Sequence, residues 1–307
     1  MTWIREHISE IIVLIGGFVV MNLIFIAEVF RASDTVDPEG ASQLGNFVGG
    51  YVGTLFALAS FMLLLRNLKN QQKSSEILMF ETKYFELLRL HRDNVAELEV
   101  EGISGRKLFV VLIREFRLIL EIVIEIAREC SQNLNKKELL HITYYCLYYG
   151  TGPNSSRILK LSLAEFDSKF IGRLEDELND QEKKKMVKCE KNFPYIPFEG
   201  HQSRLGHYYR HLYQAVKYVD QQEILTFDKK YEFVKTIRAQ LSNHEQALLL
   251  LNSISPMGNR WWSDDYMRKY EIVKNIPPEF FDCKKEIDMS DYFEPGYFEW
   301  EDVKSGT

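Results

Sequence analysis

With 307 residues, a net charge of −6, 46% hydrophobic and 27% charged residues, the chain has room for one large or two moderate domains and needs no disulfide or metal to bury a core. Its mild acidity gives no reason to expect a broad phosphate-binding surface, so nucleic acid is not the default partner, although basic patches could exist locally. The four cysteines, Cys130, Cys146, Cys189 and Cys283, form no CxxC pair; they argue against a zinc ribbon or redox motif and read as reduced core thiols of a cytosolic domain.

The first predicted element is a membrane span. Ile11 to Ala27, IIVLIGGFVVMNLIFIA, carries one polar residue, Asn22, and with its flanks over residues 8–30 it reaches the roughly 20 residues that cross a bilayer core. A cleaved signal peptide is the rival reading, but Glu28, Val29, Phe30 and Arg31 stand where a small-x-small cleavage site would lie. Phe47 to Leu65 has no charge and is followed at once by Arg66, Lys69 and Lys73, which predicts a second span over residues 45–66. Joined through Ala32 to Leu44, the two spans make a hairpin within residues 1–70. Arg5, Arg66, Lys69 and Lys73 flank its outer ends against Arg31 alone in the loop, so both termini are expected in the cytosol. Gly45, Gly49, Gly53 and Ala57 recur every four residues along one helix face, where a second helix, from this chain or another copy of it, could pack closely. Asn22, Glu10 and Glu28 do not make the hairpin a channel, because the two acids sit near the span ends.

Residues 71–102 read as a helical connector in which Phe80, Tyr84, Leu87, Leu88, His91 and Val95 keep three- and four-residue spacing, with a kink expected near Gln71 to Ser75. After a turn at Gly102 to Gly105, residues 103–283 are expected to form a helical cytosolic domain. Arg106 to Cys130 is its central helix; Arg114, Glu115, Arg117, Glu121 and Glu125 are too many charges for a third span. Lys136 to Tyr149 is a shorter helix, and the GTGPNSSR that follows is a connector, since it has no GxxxxGK[ST] pattern and no preceding strand. The charge-dense stretch between Leu163 and Lys191 predicts an exposed helix or a mobile segment. Further helices are expected at Arg204 to Val219, Tyr231 to Leu241, His244 to Ile254 and Ser263 to Lys274. Residues 284–307 form a tail of seven acids and three lysines interleaved with aromatics. Such a tail either folds back on the body or docks a partner, and in the second case Tyr292, Phe293 and Trp300 are the docking candidates. No β-alternation or hairpin turn is evident, so the chain reads as all-α.

Few residues suggest catalysis. His207 and His211 share a helix face at the HExxH spacing, but the glutamate base is missing and Arg210 adds positive charge, so hydrogen-bonded structural histidines are the better reading and no metal or cofactor is expected. Arg204 and His211, with six residues between them, fit the looser arginine–histidine spacing of metal-free HEPN-type ribonucleases, in which histidine moves the proton and arginine holds the phosphate. Leu205 stands where those enzymes place a polar residue, which leaves the ribonuclease as the alternative. Arg89, His91, Arg92 and Asn94 read as an ion-paired surface of the connector or as an element coupling domain to membrane. Trp261 and Trp262 read as core residues ahead of a docking hot spot.

Several strings resemble the putative phage abortive infection protein family (AbiC-like), bacterial proteins with paired N-terminal spans and a helical cytosolic part. They are GGYVGTLFALASFMLLLRNLKNQ at Gly49 to Gln71, FELLRLHRDNV at Phe85 to Val95, GHYYRHLYQAVKYV at Gly206 to Val219 and YEFVKTIRAQLSNHEQALLLLNSIS at Tyr231 to Ser255. The resemblance implies antiphage defence by abortive infection, in which the infected cell is killed or arrested, from the bacterial inner membrane. Some similar proteins are effectors of retron-type systems, restrained by a reverse transcriptase with its small nucleic acid. No established catalytic set comes with the family; the positions shared with it are His91, Arg92, Asn94, His207, Arg210, Tyr213, Arg238, Gln240 and Glu245. The expectation is a non-enzymatic, oligomeric toxin that perturbs the lipid bilayer, with an anchored ribonuclease or a non-toxic adaptor as alternatives and no small-molecule substrate evident.

Overall fold

Pro38 opens the first fully described helix. Proline at the first helical position lacks only an N–H that would have no partner there, and Glu39 beside it favours the positive end of the helix dipole. The computed structural model describes residues 12, 15–19, 22, 23, 38–152, 156–277, 280 and 292–300. Helix α1 (Pro38–Phe47) passes through one π-helical turn, Val48–Val52, into the 45-residue helix α2 (Gly53–Glu97). The loop expected as far as Leu44 is therefore helical from Pro38. The irregularity lies at Gly49 and Gly50, where side chains are absent, and not at Gln71 to Ser75, which run straight through α2.

Two compact units divide at Met79 and Phe80. In the first, the continuous helix from Pro38 is long and apolar enough to cross a membrane, and none of its most apolar window is buried. Leu55, Phe56, Leu58, Phe61 and Leu64 point to all sides of it and are exposed. A core helix of a water-soluble domain would bury such a face. The earlier predicted span falls mostly outside the described residues, as do Arg5, Glu10, Glu28 and Arg31, on which the hairpin's direction and polarity rest. Of its described part, Asn22 donates to the Phe18 carbonyl at 2.8 Å, satisfying its amide within its own helix. Gly17 lies so close to Phe56 that a Cβ there would overlap the ring. The Gly45, Gly49, Gly53, Ala57 row is interrupted by the wider π turn; a Cβ at Gly45 or Gly49 would meet nothing within 4 Å, and one at Gly53 only the Val48 carbonyl, at 3.9 Å.

The second unit begins within α2, so the connector does not stand apart from the domain: Phe80, Tyr84, His91 and Val95 are buried in it. A two-residue antiparallel ladder, β1 (Glu99–Val100) with β2 (Ile103–Ser104), turns the chain; it is a hairpin that the sequence pattern did not announce, being too short to alternate. Helix α3 (Arg106–Glu129) then buries Leu108, Leu112, Phe116, Ile119 and Val123 along one stripe. It packs on α4 (Lys136–Tyr149) and on α10 (Asn243–Ile254), which form the centre of the unit. Both partners start from reciprocal capping boxes, Asn135 with Glu138 and Ser242 with Glu245. Helix α10 is buried on all sides from Glu245 to Ile254 and so needs neighbours all round.

The short α5 (Ser156–Ser162) packs on α4, and the charge-dense stretch folds as α6 (Ser168–Asn179), on α3, and α7 (Gln181–Glu190). Its periodicity was masked by charge, yet Phe170, Ile171, Leu174 and Leu178 are buried. Helices α8 (Gln202–Asp220) and α9 (Phe227–Ala239) pair; after α10 come a 3-10 turn, Pro256–Gly258, and α11 (Arg260–Ser263), and of the helix predicted over Ser263 to Lys274 only the single turn α12 (Tyr266–Lys269) is helical beyond α11. Of the two readings of the tail, residues 292–300 take the first and fold back: Phe293 stacks on Tyr297 at 4.0 Å and packs on Trp262, Tyr292 lies 6.5 Å from the same indole, and Trp300 donates to the Ile276 carbonyl at 3.1 Å. Phe293 is buried in this contact, while Tyr292 and Trp300 are half-buried. Trp261 is buried, and Trp262 donates to Ser253 Oγ at 3.1 Å. Among the cysteines, Cys146 is a core thiol pushed up to about 12 by burial, but Cys189 is exposed, and Cys283 lies outside the described residues.

Candidate functional site

Helix α8 has two faces of different chemistry. Leu205, Tyr208, Tyr209, Leu212 and Val216 are buried, while His207, Arg210 and Gln214 lie on the exposed side. That outer face, with the turn that leads into α11, encloses a cleft of about 790 Å³ lined also by Tyr213, Arg260 and Trp261. Tyr148 of α4 and Asn252 of α10 line it as well; the Asn252 amide donates to Tyr144 OH at 2.9 Å. Two glycines shape it. A Cβ at Gly206 would press on the Tyr148 hydroxyl at 3.0 Å, and one at Gly258 would overlap the Asn252 backbone. Arg210 is held along its own helix, Nε on the Gly206 carbonyl at 3.0 Å and Nη2 3.4 Å from His207 Nδ1. Tyr213 donates its hydroxyl to Asp264.

On the inner side of α8 a polar cluster gathers residues from distant parts of the chain. Glu245, fully buried, accepts from Ser242 N at 2.8 Å and Ser242 Oγ at 2.6 Å, lies 3.6 Å from Arg106 Nε and takes a long 3.4 Å bond from Tyr208 OH. Arg106 also donates to the Gln240 carbonyl at 2.6 Å. The His91 ring sits 5.2 Å from the Tyr208 ring, buried with neither nitrogen hydrogen-bonded. His91 therefore belongs to the buried face of α2, whereas Arg92 next to it is exposed. The half-buried Asn94 has an unpartnered Nδ2.

Burial disfavours the imidazolium of His91, and nearby His211 and Arg106 add to the effect, so it is pushed down to about 4. Its folded value lies below its ordinary 6.5, so the stability it contributes is complete above that pH and is lost as pH falls through the folded value. We expect this to amount to on the order of 3 kcal/mol. Between pH 7 and pH 4 the melting temperature of wild type in detergent should fall relative to that of His91→Phe; parallel curves would remove the assignment.

A third cluster is wholly internal. Glu115 of α3 is fully buried; its Oε2 accepts from Tyr195 OH at 2.6 Å and meets His201 Nε2 at 2.9 Å, and its Oε1 accepts from the Phe198 amide at 2.6 Å. Burial alone would raise its carboxyl, but the His201 charge and the bonds from His201, Tyr195 and Phe198 outweigh that and hold it below the ordinary value. Lys184, also buried and without a hydrogen-bond partner at Nζ, is lowered by burial against the opposing pull of Glu199 and Glu115.

The residues singled out in the sequence thus separate. His207, Arg210 and Tyr213 meet in the cleft, and His91, Gln240 and Glu245 meet around Arg106. Arg238 has a structural place, donating to the Glu271 carbonyl at 2.8 Å. Arg204 and His211 share a face of α8 two turns apart, roughly 10 Å along the axis. Arg204 points its Nε at the Glu99 carbonyl, 3.4 Å away, while a small recess takes His211 together with His207, Arg210 and Gln214 but not Arg204. Sequence reasoning missed Arg260, Tyr148 and Asn252 in the cleft and the whole Glu115 cluster. The Ser242-x-x-Glu245 pattern before an apolar run was the available signal for a capping role of Glu245.

Residues 200–281 match the model of the family described as putative phage abortive infection protein. The match covers about a quarter of the chain and includes His207, Arg210, Tyr213, Arg238, Gln240 and Glu245, while His91, Arg92 and Asn94 precede it. Over this stretch the chain is similar to the family whose strings its sequence resembles, a family described by its part in phage abortive infection. No curated protein and no solved structure matches the chain.

Proposed function

We propose, with the family match over residues 200–281 as premise, that the chain is a membrane-anchored toxic effector of abortive infection that perturbs the inner membrane once its cytosolic domain is released or activated. The observation that carries the reading is the uncovered helix through residues 45–66, apolar on every side and continuous with the helix that enters the folded unit. Exposed to water, its leucines and phenylalanines would each forgo about 2 kcal/mol of burial; in lipid they are solvated. The Gly45, Gly49, Gly53 row, with nothing packed on it among the described residues, suits self-association of spans. The reading places both termini in the cytosol, makes the active form a homo-oligomer, and leaves the restraint to the domain's own packing or to a partner such as a reverse transcriptase with its small nucleic acid.

The Gly49→Leu, Gly53→Leu double variant is expected to express at wild-type level and to lose toxicity; wild-type toxicity in that variant would overturn the oligomerisation step. Dye leakage within minutes of induction supports membrane damage. Early RNA cleavage with an intact membrane potential would instead favour the anchored ribonuclease, and overexpression without growth arrest in the presence of phage would favour an adaptor.

A further inference from the structure

The cleft beside α8 runs against the charge of the chain that contains it. Although acids outnumber bases in the protein, the cleft is lined by Arg210, Arg260 and His207 and by no aspartate or glutamate. Some arginines of the fold are paired with carboxylates, Arg106 with Glu245, Arg173 with Glu177 and Arg238 with Glu271, while others, such as Arg114 and Arg204, rest on backbone carbonyls. Among the described residues neither Arg210 nor Arg260 is ion-paired with a carboxylate, and Asp264, which accepts from Tyr213, is not part of the lining. The volume of about 790 Å³ lies in the range of small-molecule sites and far below what a protein partner needs. Arg210 and Arg260 both line the cleft, and guanidinium N–H groups make charge-assisted hydrogen bonds to phosphate oxygens; Arg210, whose Nε and Nη2 lie along its own helix, offers its remaining N–H groups. The remaining lining is polar-aromatic: Asn252, Gln202, and the Tyr148 hydroxyl left uncovered by Gly206.

We propose that this cleft binds a phosphate-bearing small molecule of about mononucleotide size, with the phosphate between Arg210 and Arg260 and the rest of the ligand on Tyr148, Asn252 and Trp261. The assignment does not depend on what the chain does to a membrane. Nothing in the acidic composition foretold it, because the reversal is local to one helix face and one turn.

The test is calorimetric titration of the full chain in detergent with three probes: ATP, inorganic phosphate and dioctanoyl phosphatidic acid. Saturable binding of at least one is expected, with about a tenfold or larger weakening in Arg260→Ala and in Arg210→Ala, since each removes charge-assisted bonds. Arg92→Ala, which removes an equal charge from an exposed site, should bind as wild type. Both cleft arginines are exposed, so their loss should leave the melting temperature unchanged. The probe that binds identifies the source, soluble nucleotide, free phosphate or lipid headgroup. Absence of saturable binding by all three at millimolar concentration, or undiminished binding in both arginine variants, overturns the proposal; either result would leave the toxicity and leakage assays unaffected.

Discussion

Glu115→Ala is expected to destabilise the folded unit by about 3–5 kcal/mol, the range for removing one member of a buried ion pair. The loss is large because the carboxylate is the shared acceptor of three groups from outside its helix. Without it the Tyr195 hydroxyl, the Phe198 amide and the His201 ring have no acceptor there, in a site closed to water. Lys184, already buried without a hydrogen bond, would also lose one of its two favourable charges. Glu115→Gln keeps the shape but turns one acceptor oxygen into a donor facing either Tyr195 or Phe198, so an intermediate loss of about 1–3 kcal/mol is expected. The sign of the pH dependence follows from the lowered carboxyl: its stabilisation is complete above the ordinary value of 4.5 and disappears as pH falls through the folded value. Denaturant melts of the detergent-solubilised chain, wild type and both variants, measure this. Equal stability of Glu115→Ala and wild type at pH 7 would mean that the cluster is not a structural centre.

What was legible in the sequence was what is local. The stripe Leu108, Leu112, Phe116, Ile119, Val123 announces α3 because its period comes from one helix alone, and the same holds for the face that joins His207 to Arg210. Glu115 lies in the same helix, yet it read only as one of the charges that exclude lipid. Its partner His201 is 86 residues away, and no periodicity connects the two. The cleft is legible only in half: α8 shows its wall, while Tyr148 and Asn252 come from helices whose own patterns speak only of burial. His91 is a different case. It sat on the apolar face of α2, a position that burial readily explains, but its charged neighbours Arg89 and Arg92 suggested a solvated surface, and the helix in fact buries one side and exposes the other. The tail aromatics, read as either packed or docking, were ambiguous because composition cannot say which surface an aromatic will cover.

The same chemical change, glycine to alanine, should have opposite effects at two places in the second unit. At Gly150 and Gly200 two chain segments cross face to face, each glycine against the other's backbone; a Cβ on either would overlap main-chain atoms that no rotamer change can move. Both have positive φ, 73° and 88°, and with ψ near 180° Gly150 is in a region reserved for glycine. The crossing is fastened by the Thr151 amide on the Phe198 carbonyl and the His201 amide on the Tyr148 carbonyl, each 2.8 Å. It thereby sets where His201 meets Glu115 and where α8 begins. Backbone strain and overpacking together predict a loss of about 3–5 kcal/mol for Gly150→Ala or Gly200→Ala. At Gly172, inside α6, a Cβ would meet nothing within 4 Å, so Gly172→Ala should stabilise by about 0.5–1 kcal/mol through lower unfolded-state entropy. Melting temperatures of the three variants should therefore move to either side of wild type, downward for Gly150 and Gly200 and upward for Gly172. Melting temperatures of Gly150→Ala and Gly200→Ala at or above wild type would show that the crossing tolerates side chains, and that His201 is positioned by something other than these two glycines; a lowered value for Gly172→Ala would overturn only the expectation for α6.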